Sequence, residues 1–243
     1  MTYLEEAEDR EVFSESLPSI IYEKLRVDIL DGVLRPGQPL RQEELSKRFD
    51  VSRVPLREAM TRLTADGLIV LRPRRGYAVT ELQRSEILEI FELRAVVEEH
   101  AGMLAAHART PADIEKVEAS LLNMEKLKST TSNYMLKWLR GNYEFHANLI
   151  ASSRREHLAR HAAMLRDTVE PYIRMEMQMT GDVMQAEQDH RELFEAFVCG
   201  DASNLAVLSR KHVESTARRL LDGLKRLETM NPTRARKTRR TRQ

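Results

Sequence analysis

Apolar residues recur at helical spacing along most of this chain. Between Pro18 and Gly32, Ile21, Leu25 and Ile29 stand about one turn apart, which predicts a helix opened by the proline and stopped at the glycine. Arg35-Pro-Gly-Gln-Pro39 reads as a turn, and a second helix follows with Leu45 and Phe49 inward. From Val51 to Ile69, Leu56, Ala59, Met60 and Leu63 recur at i, i+3, i+4 and i+7 and predict a buried helical face. Ser52 is a good N-cap for this helix, and Pro55 still falls in the first turn, where a missing N–H costs little. Ile69 to Thr80 predicts a short hairpin with Gly76 at its tip.

From Ser85 onward the pattern is helical throughout. The first segment, Ile87 to His107, carries Ile90, Leu93, Val97, Met103 and Leu104 at helical spacing, and Thr110-Pro111-Ala112-Asp113 opens the next with a cap, a first-turn proline and an early acid. Further helices are expected over roughly 132–152, 154–178, 182–199 and 202–229, with breaks at Ser129 to Ser132, Ser152-Ser153, Gly181 and Gly200-Asp201. Six helices of this length predict an antiparallel bundle with room for a site between them. The expected organisation is a mobile acidic arm (1–16), a winged helix-turn-helix (17–82), an all-α bundle (84–229) and a basic disordered tail (230–243), a mostly α protein overall.

Composition narrows the function classes. The single cysteine, Cys199, rules out an intrachain disulfide. No secretory signal opens the chain and no apolar run reaches the roughly 18 residues of a membrane span, so a cytoplasmic, membrane-free protein is expected. The formal net charge of +1 hides an uneven distribution. Between 35 and 75, Arg35, Arg41, Lys47, Arg48, Arg53, Arg57, Arg62, Arg72, Arg74 and Arg75 outnumber Glu43, Glu44, Asp50, Glu58 and Asp66, a local basic patch of the kind DNA responds to.

Arg53 and Arg57 stand one turn apart at the start of a helix that follows a second short helix, as in a helix-turn-helix facing the major groove. Each guanidinium can donate two hydrogen bonds to guanine O6 and N7. The alternative is an exposed i, i+4 arginine pair on an ordinary surface helix. Leu40-Arg-Gln-Glu-Glu-Leu-Ser46, Val51-Ser-Arg-Val-Pro-Leu-Arg-Glu-Ala-Met60, Leu63-Thr-Ala-Asp-Gly-Leu-Ile69 and Arg74-Arg-Gly-Tyr-Ala-Val79 together resemble the winged helix-turn-helix of GntR-family transcription regulators. The resemblance implies contact with double-stranded operator DNA through Arg41, Arg53, Arg57, Arg74, Arg75 and Gly76. Asp50 stands where many members place glycine, a mild departure because Asp tolerates a left-handed backbone. The tail arginines from Arg234 to Arg242 either add salt-sensitive affinity for nucleic acid or serve as a solubilising end.

In the helical half, Asn142 and His146 lie at i, i+4, the spacing at which one helix offers two ligands to one ion. His190 and His212 are brought into reach if the last two helices fold back at Gly200-Asp201. Asn142-x-x-Phe-His146, Asp189-His190-x-x-Leu-Phe-x-Ala196, Gly200-Asp201 and Lys211-His212 resemble the FCD effector domain of the FadR-type branch of the same family, with a departure at Arg154, where asparagine is common. The resemblance implies a divalent metal on Asn142, His146, His190 and His212. Zn, Ni or Mn suit imidazole and amide ligands. This uncharged ligand set would leave the ion its full +2, and the implied effector is a small organic acid whose carboxylate displaces a metal-bound water. Arg94 matches an arginine of the pattern and is a candidate second anchor, the alternative being a structural pair with Glu98. His157 and His161, flanked by Arg154, Arg155 and Arg160, are expected on the surface or a dimer face; His100 and His107 are expected to be structural.

The expectation is a homodimeric, ligand-responsive regulator, most simply a repressor, and not an enzyme. A metal-dependent bundle enzyme is the first alternative. A di-iron site needs two Glu-x-x-His motifs, and only Glu187-Gln-Asp-His190 is present, while Glu144 points away from Asn142 around the helix. An architectural DNA-binding protein without effector is the second.

Overall fold

The computed structural model describes residues 16–128, 130–131, 133–180 and 183–230. The arm (apart from Ser16), the tail (apart from Met230) and the break at Gly181 lie outside the described residues. The chain runs α1 (Leu17–Leu30), β1 (Pro39–Leu40), α2 (Gln42–Phe49), α3 (Arg53–Ala65), β2 (Ile69–Arg72), β3 (Gly76–Val79), α4 (Arg84–Ala108), α5 (Pro111–Glu125), α6 (Tyr134–Ala151), α7 (Glu156–Thr180), α8 (Met184–Cys199) and α9 (Ala202–Met230).

The amino-terminal unit closes around one apolar cluster. Ile21, Leu25 and Ile29 of α1 meet Leu56, Ala59, Met60 and Leu63 of α3, together with Leu45, Leu68, Ile69 and Val79. Asp50 ends α2 at φ 52°, the left-handed turn that lets α3 leave in a new direction. Ser52 has the extended backbone of an N-cap, although its side chain makes no capping hydrogen bond.

Beside these helices lies an antiparallel sheet in the order β1-β3-β2, with Leu40 opposite Tyr77 and Arg72 opposite Gly76. The expected hairpin is therefore the outer part of a three-stranded wing, and Pro39, read as the end of a turn, opens β1. A two-residue strand carries no alternation for sequence reading to detect. Gly76 begins β3, and the reversal itself is made by Pro73, Arg74 and Arg75, with Arg74 at φ 62°.

The six helices α4 to α9 bury a second cluster that includes Ile87, Phe91, Trp138, Phe145, Val169, Phe197, Leu205 and Leu220. Thr110 caps α5 through the reciprocal bonds with Asp113 that the sequence predicts. On α4 the predicted inner face needs correction. Ile87, Phe91, Ala95, Ala101, Ala105 and Ala106 are buried, Ile90, Val97, Met103 and Leu104 are half-buried, and Leu93 is 51% exposed. The helix is apolar nearly all round, so periodicity could not choose a face. The choice falls on the small residues because α9 lies close against them: a Cβ on Gly102 would come within 2.7 Å of Ser209 Oγ. No helix among the described residues is long and apolar enough to cross a membrane.

Leu63 is fully buried and Val54, on the same helix, is 67% exposed. Leu63→Ala should lower the unfolding free energy by about 2–5 kcal/mol. Val54→Ala should change it by less than about 0.5 kcal/mol. Urea melts of the two variants check this.

Candidate functional site

At the amino end, α3 buries one face and turns the other to solvent. Arg53 and Arg57 are exposed, as are Arg74 and Arg75 at the wing, and none of the four has a side-chain hydrogen bond or ion pair among the described residues. Arg41 is exposed as well, but its Nη1 lies 2.9 Å from Glu44 Oε1. Other members of the basic patch are used inside the unit: Arg48 pairs with Asp28, Arg62 stacks on Tyr22 and Arg72 lies near Glu81. The count of basic residues thus overstates the charge free for a ligand. Val54, to which sequence reasoning gave no role, stands exposed on the first turn of α3, and an apolar side chain there suits a thymine methyl in the major groove.

The second site lies inside the bundle. His146 on α6, His190 on α8 and His212 on α9 are all buried, and each offers a ring nitrogen within 4.8 Å of those of the other two. His190 Nε2 is 3.3 Å from His146 Nε2. Asn142, one turn before His146, lines the same cavity as His146 and His212. Burial, then the neighbouring imidazoles, hold His146 and His190 well below the usual histidine range, so both are neutral and offer lone pairs.

His212 Nδ1–H donates to Asp189 Oδ2 at 3.1 Å. Burial would raise the Asp189 carboxyl, but hydrogen bonds from His212 and Gln185 outweigh it and keep the group ionised. A carboxylate on one ring nitrogen leaves the other free for a cation, the usual support for a metal-bound imidazole. Asp189 is the member of this site that residue spacing missed; its one signal is its position beside His190. The donor set is therefore one that a divalent metal fits: three buried imidazoles converging, two of them held neutral and the third oriented by a carboxylate.

Around the histidines are cations. Arg94 of α4 is buried; its Nε and Nη2 both lie 2.9 Å from Glu98 Oε1, while Nη1 has no partner. The structural pair with Glu98 exists, and it leaves part of the fork free. Arg166 and Glu170 of α7 line the same cavity, with Arg219 of α9. Arg166 Nε and Nη1, Glu170 Oε2 and His190 Nδ1 are likewise buried without hydrogen-bond partners among the described residues. Such groups are rare in native proteins, and those of Arg94, Arg166 and Glu170 belong to residues lining one cavity, which makes it a candidate polar binding site. Arg166 escaped sequence reasoning, although Ala162, Val169, Ile173 and Met177 are buried on the same helix and make it a charge at a core position.

The remaining histidines fall elsewhere. His157 and His161 are exposed, as expected, and bonded to Arg160 and to the α7 backbone. His100 and His107 are also exposed, which corrects their expected structural role. Glu144 is exposed. Arg154 sits at φ 57°, a backbone that explains asparagine at this position, and pairs with Asp113 at 2.6 Å, away from the cavity.

Helix α7 also grips α1. Arg26 Nε donates to Asp167 Oδ2 at 2.7 Å, and its Nη2 donates to Tyr143 OH at 2.8 Å. Arg174 Nε donates to Leu30 O at 2.6 Å and Nη2 to Asp31 Oδ1 at 3.2 Å, while Arg140 also reaches Asp31. Asp167 and Arg174 are thus chain neighbours of the cavity-lining residues.

A winged helix-turn-helix with free arginines, joined to a bundle holding a buried polar site, is the build of a DNA-binding regulator with a ligand-binding domain. Comparison with known proteins agrees. Residues 18–79 match the bacterial regulatory proteins of the gntR family and residues 89–215 match the FCD domain. The chain is 31% identical over 178 residues to the HTH-type transcriptional regulator YdhC of Bacillus subtilis, covering 72% of this chain and 77% of that one. It is 27% identical to the HTH-type transcriptional repressor GlaR of Escherichia coli, covering 79% and 90% of the two chains. In fold it is similar to E. coli McbR/YncC, with a TM-score of 0.76 at 19% identity over 86% of this chain and 99% of that one. The chain belongs to the GntR family of transcription regulators and carries an FCD effector-binding domain. Its family and relatives are regulators, not enzymes.

Burial pushes the Glu170 carboxyl up to about 7, with Arg166, Arg174 and Arg94 pulling it back only in part. Between the unfolded value near 4.5 and about 7 the native state binds the extra proton, so this group lowers stability as pH rises through that window. Glu170→Gln should therefore gain stability over the unaltered metal-free protein as pH goes from 5 to 8, by up to about 3 kcal/mol. Paired thermal melts across that range check this.

Proposed function

We propose that this protein is a homodimeric transcriptional repressor, acting in the cytoplasm, whose operator affinity is controlled by a small organic acid bound at a divalent-metal site in the bundle. The observation that carries this reading is the convergence of three buried histidines and Asn142 beside the partly unpartnered Arg94 and Arg166, the latter on the helix that also holds α1. When bound, a divalent ion (Zn, Ni or Mn) on Asn142, His146, His190 and His212 supplies positive charge for an effector carboxylate. Asp189 orients His212, Arg94 offers its free Nη1 to the acid, and the apolar wall of Trp138 and Ile173 limits water.

On the DNA side, Arg53 and Arg57 are assigned to base edges in the major groove, and Arg41, Arg74, Arg75 and the Gly76 backbone to the flanking phosphates or minor groove. Two such helices reading a pseudo-palindrome require two-fold symmetry. Support for a dimer comes from Leu88, Leu93 and Val96, exposed apolar residues on one side of α4. Control passes through α7: an acid that shifts its cavity face shifts Asp167 and Arg174, and with them the seat of α1 and the spacing of the recognition helices. By linkage, operator DNA weakens effector binding by the factor by which effector weakens operator binding. An architectural role without effector leaves the buried histidine cluster unexplained.

Arg57→Ala should cost about 1–3 kcal/mol of operator discrimination in binding titrations and leave metal content unchanged. His212→Ala should lose metal and the response to acid, by elemental analysis and titration, while operator binding persists. Each variant showing the other's defect would overturn the assignment. Asp167→Asn should leave acid affinity within about twofold and reduce the factor by which acid weakens operator binding, itself typically 5–150-fold.

A further inference from the structure

We propose that Arg166 is a further anchor for the effector, beyond the histidine cluster and Arg94, and that the effector is therefore a compact acid with two separate anionic groups. This rests on the acid-sensing reading above and names the ligand class it requires. Arg166 is 2% exposed, and its Nε and Nη1 have no hydrogen-bond partner among the described residues. Its guanidinium lies 4.5 Å from the centre of the Tyr143 ring. Stacking holds the fork in place and leaves its in-plane N–H groups to donate, an arrangement suited to a carboxylate.

The obvious internal partner does not take these donors. Glu170 stands one turn on along α7, yet it makes no ion pair with Arg166 and keeps its own Oε2 without a partner. Asp167, next in the chain, gives one oxygen to Arg26.

Charge points the same way. Arg94, Arg166 and Arg219 line the cavity against the single carboxylate of Glu170; Glu98 is engaged with Arg94. One carboxylate directed to the histidine cluster and to Arg94 Nη1 leaves the Arg166 Nε and Nη1 donors, on a different helix, still without acceptors. A second anionic group on the same ligand accepts from them. The cavity is about 30 Å³ as it stands, room for a few waters at most, so a dianion enters by displacing wall side chains. Met177 and the half-buried Arg219 are long and unbranched and can swing aside. The rival is one carboxylate shared between Arg94 and Arg166, which gives no advantage to a second acid group.

Calorimetric titration of the metal-loaded full-length protein with succinate and butyrate, and with glutarate and valerate, separates the two. The dianion of each pair should bind at least about tenfold more tightly than its single-acid counterpart, a difference of about 1.4 kcal/mol. Arg166→Met should remove that preference, weakening the dianion of each pair far more than its single-acid counterpart. Arg166→Lys, which keeps the charge without the fork, should retain an intermediate preference, and it stands in if the Met variant fails to fold in a thermal melt. Equal affinity within each pair in the unaltered protein, or a preference that survives Arg166→Lys and Arg166→Met unchanged, overturns the dianion inference and leaves the acid-sensing reading standing. Binding of neither class by metal-loaded protein overturns that reading and this inference with it.

Discussion

Taking imidazole and guanidinium groups out of water is the constraint around which the carboxy-terminal half is arranged. Neutral imidazoles tolerate burial because the same desolvation that isolates them keeps protons off. Guanidiniums do not lose their charge, so each must find an anion, a ring or a ligand. Arg174 and Arg26 find backbone oxygen and carboxylate, Arg94 finds Glu98 with part of its fork, and Arg166 finds the face of Tyr143. The donors left over on Arg94 and Arg166 belong to residues lining one cavity, and that residue of unmet hydrogen bonding makes it a candidate binding site.

Helix α7 joins that site to the amino-terminal unit. Arg166, Glu170, Ile173 and Met177 line the cavity, while Asp167 and Arg174 hold α1. Pro171 falls in the middle of this stretch and withholds an N–H from the Asp167 carbonyl, so the helix has one weakened turn among both sets of residues. A ligand has a route to the DNA-binding unit only if its contacts differ between two arrangements of this helix. Tyr143 lies across the route, its ring against Arg166 and its hydroxyl accepting from Arg26.

Much of the local structure was legible in the residues. The buried face of α3, the left-handed Asp50 and the Thr110 cap all follow from contacts within a few positions of each other. Where the residues were silent or misleading, the deciding contacts were distant. The inner face of α4 was settled by the small residues that admit α9, and β1 exists because β3 offers it partners. The basic stretch looked uniformly available, yet Arg48 and Arg62 are engaged by α1.

The family motifs and the i, i+4 pair of Asn142 and His146 made the helix-turn-helix, the helical domain and the candidate histidines visible in the chain alone, because such signals are carried by short-range spacing. Which polar groups share a cavity was decided by the fold. His190 meets His146 across 44 positions, Asp189 turns to His212, and Arg166 arrives from α7 with its donors unspent. Those meetings depend on the rotation of each helix about its axis, and that rotation is set by packing against all the others.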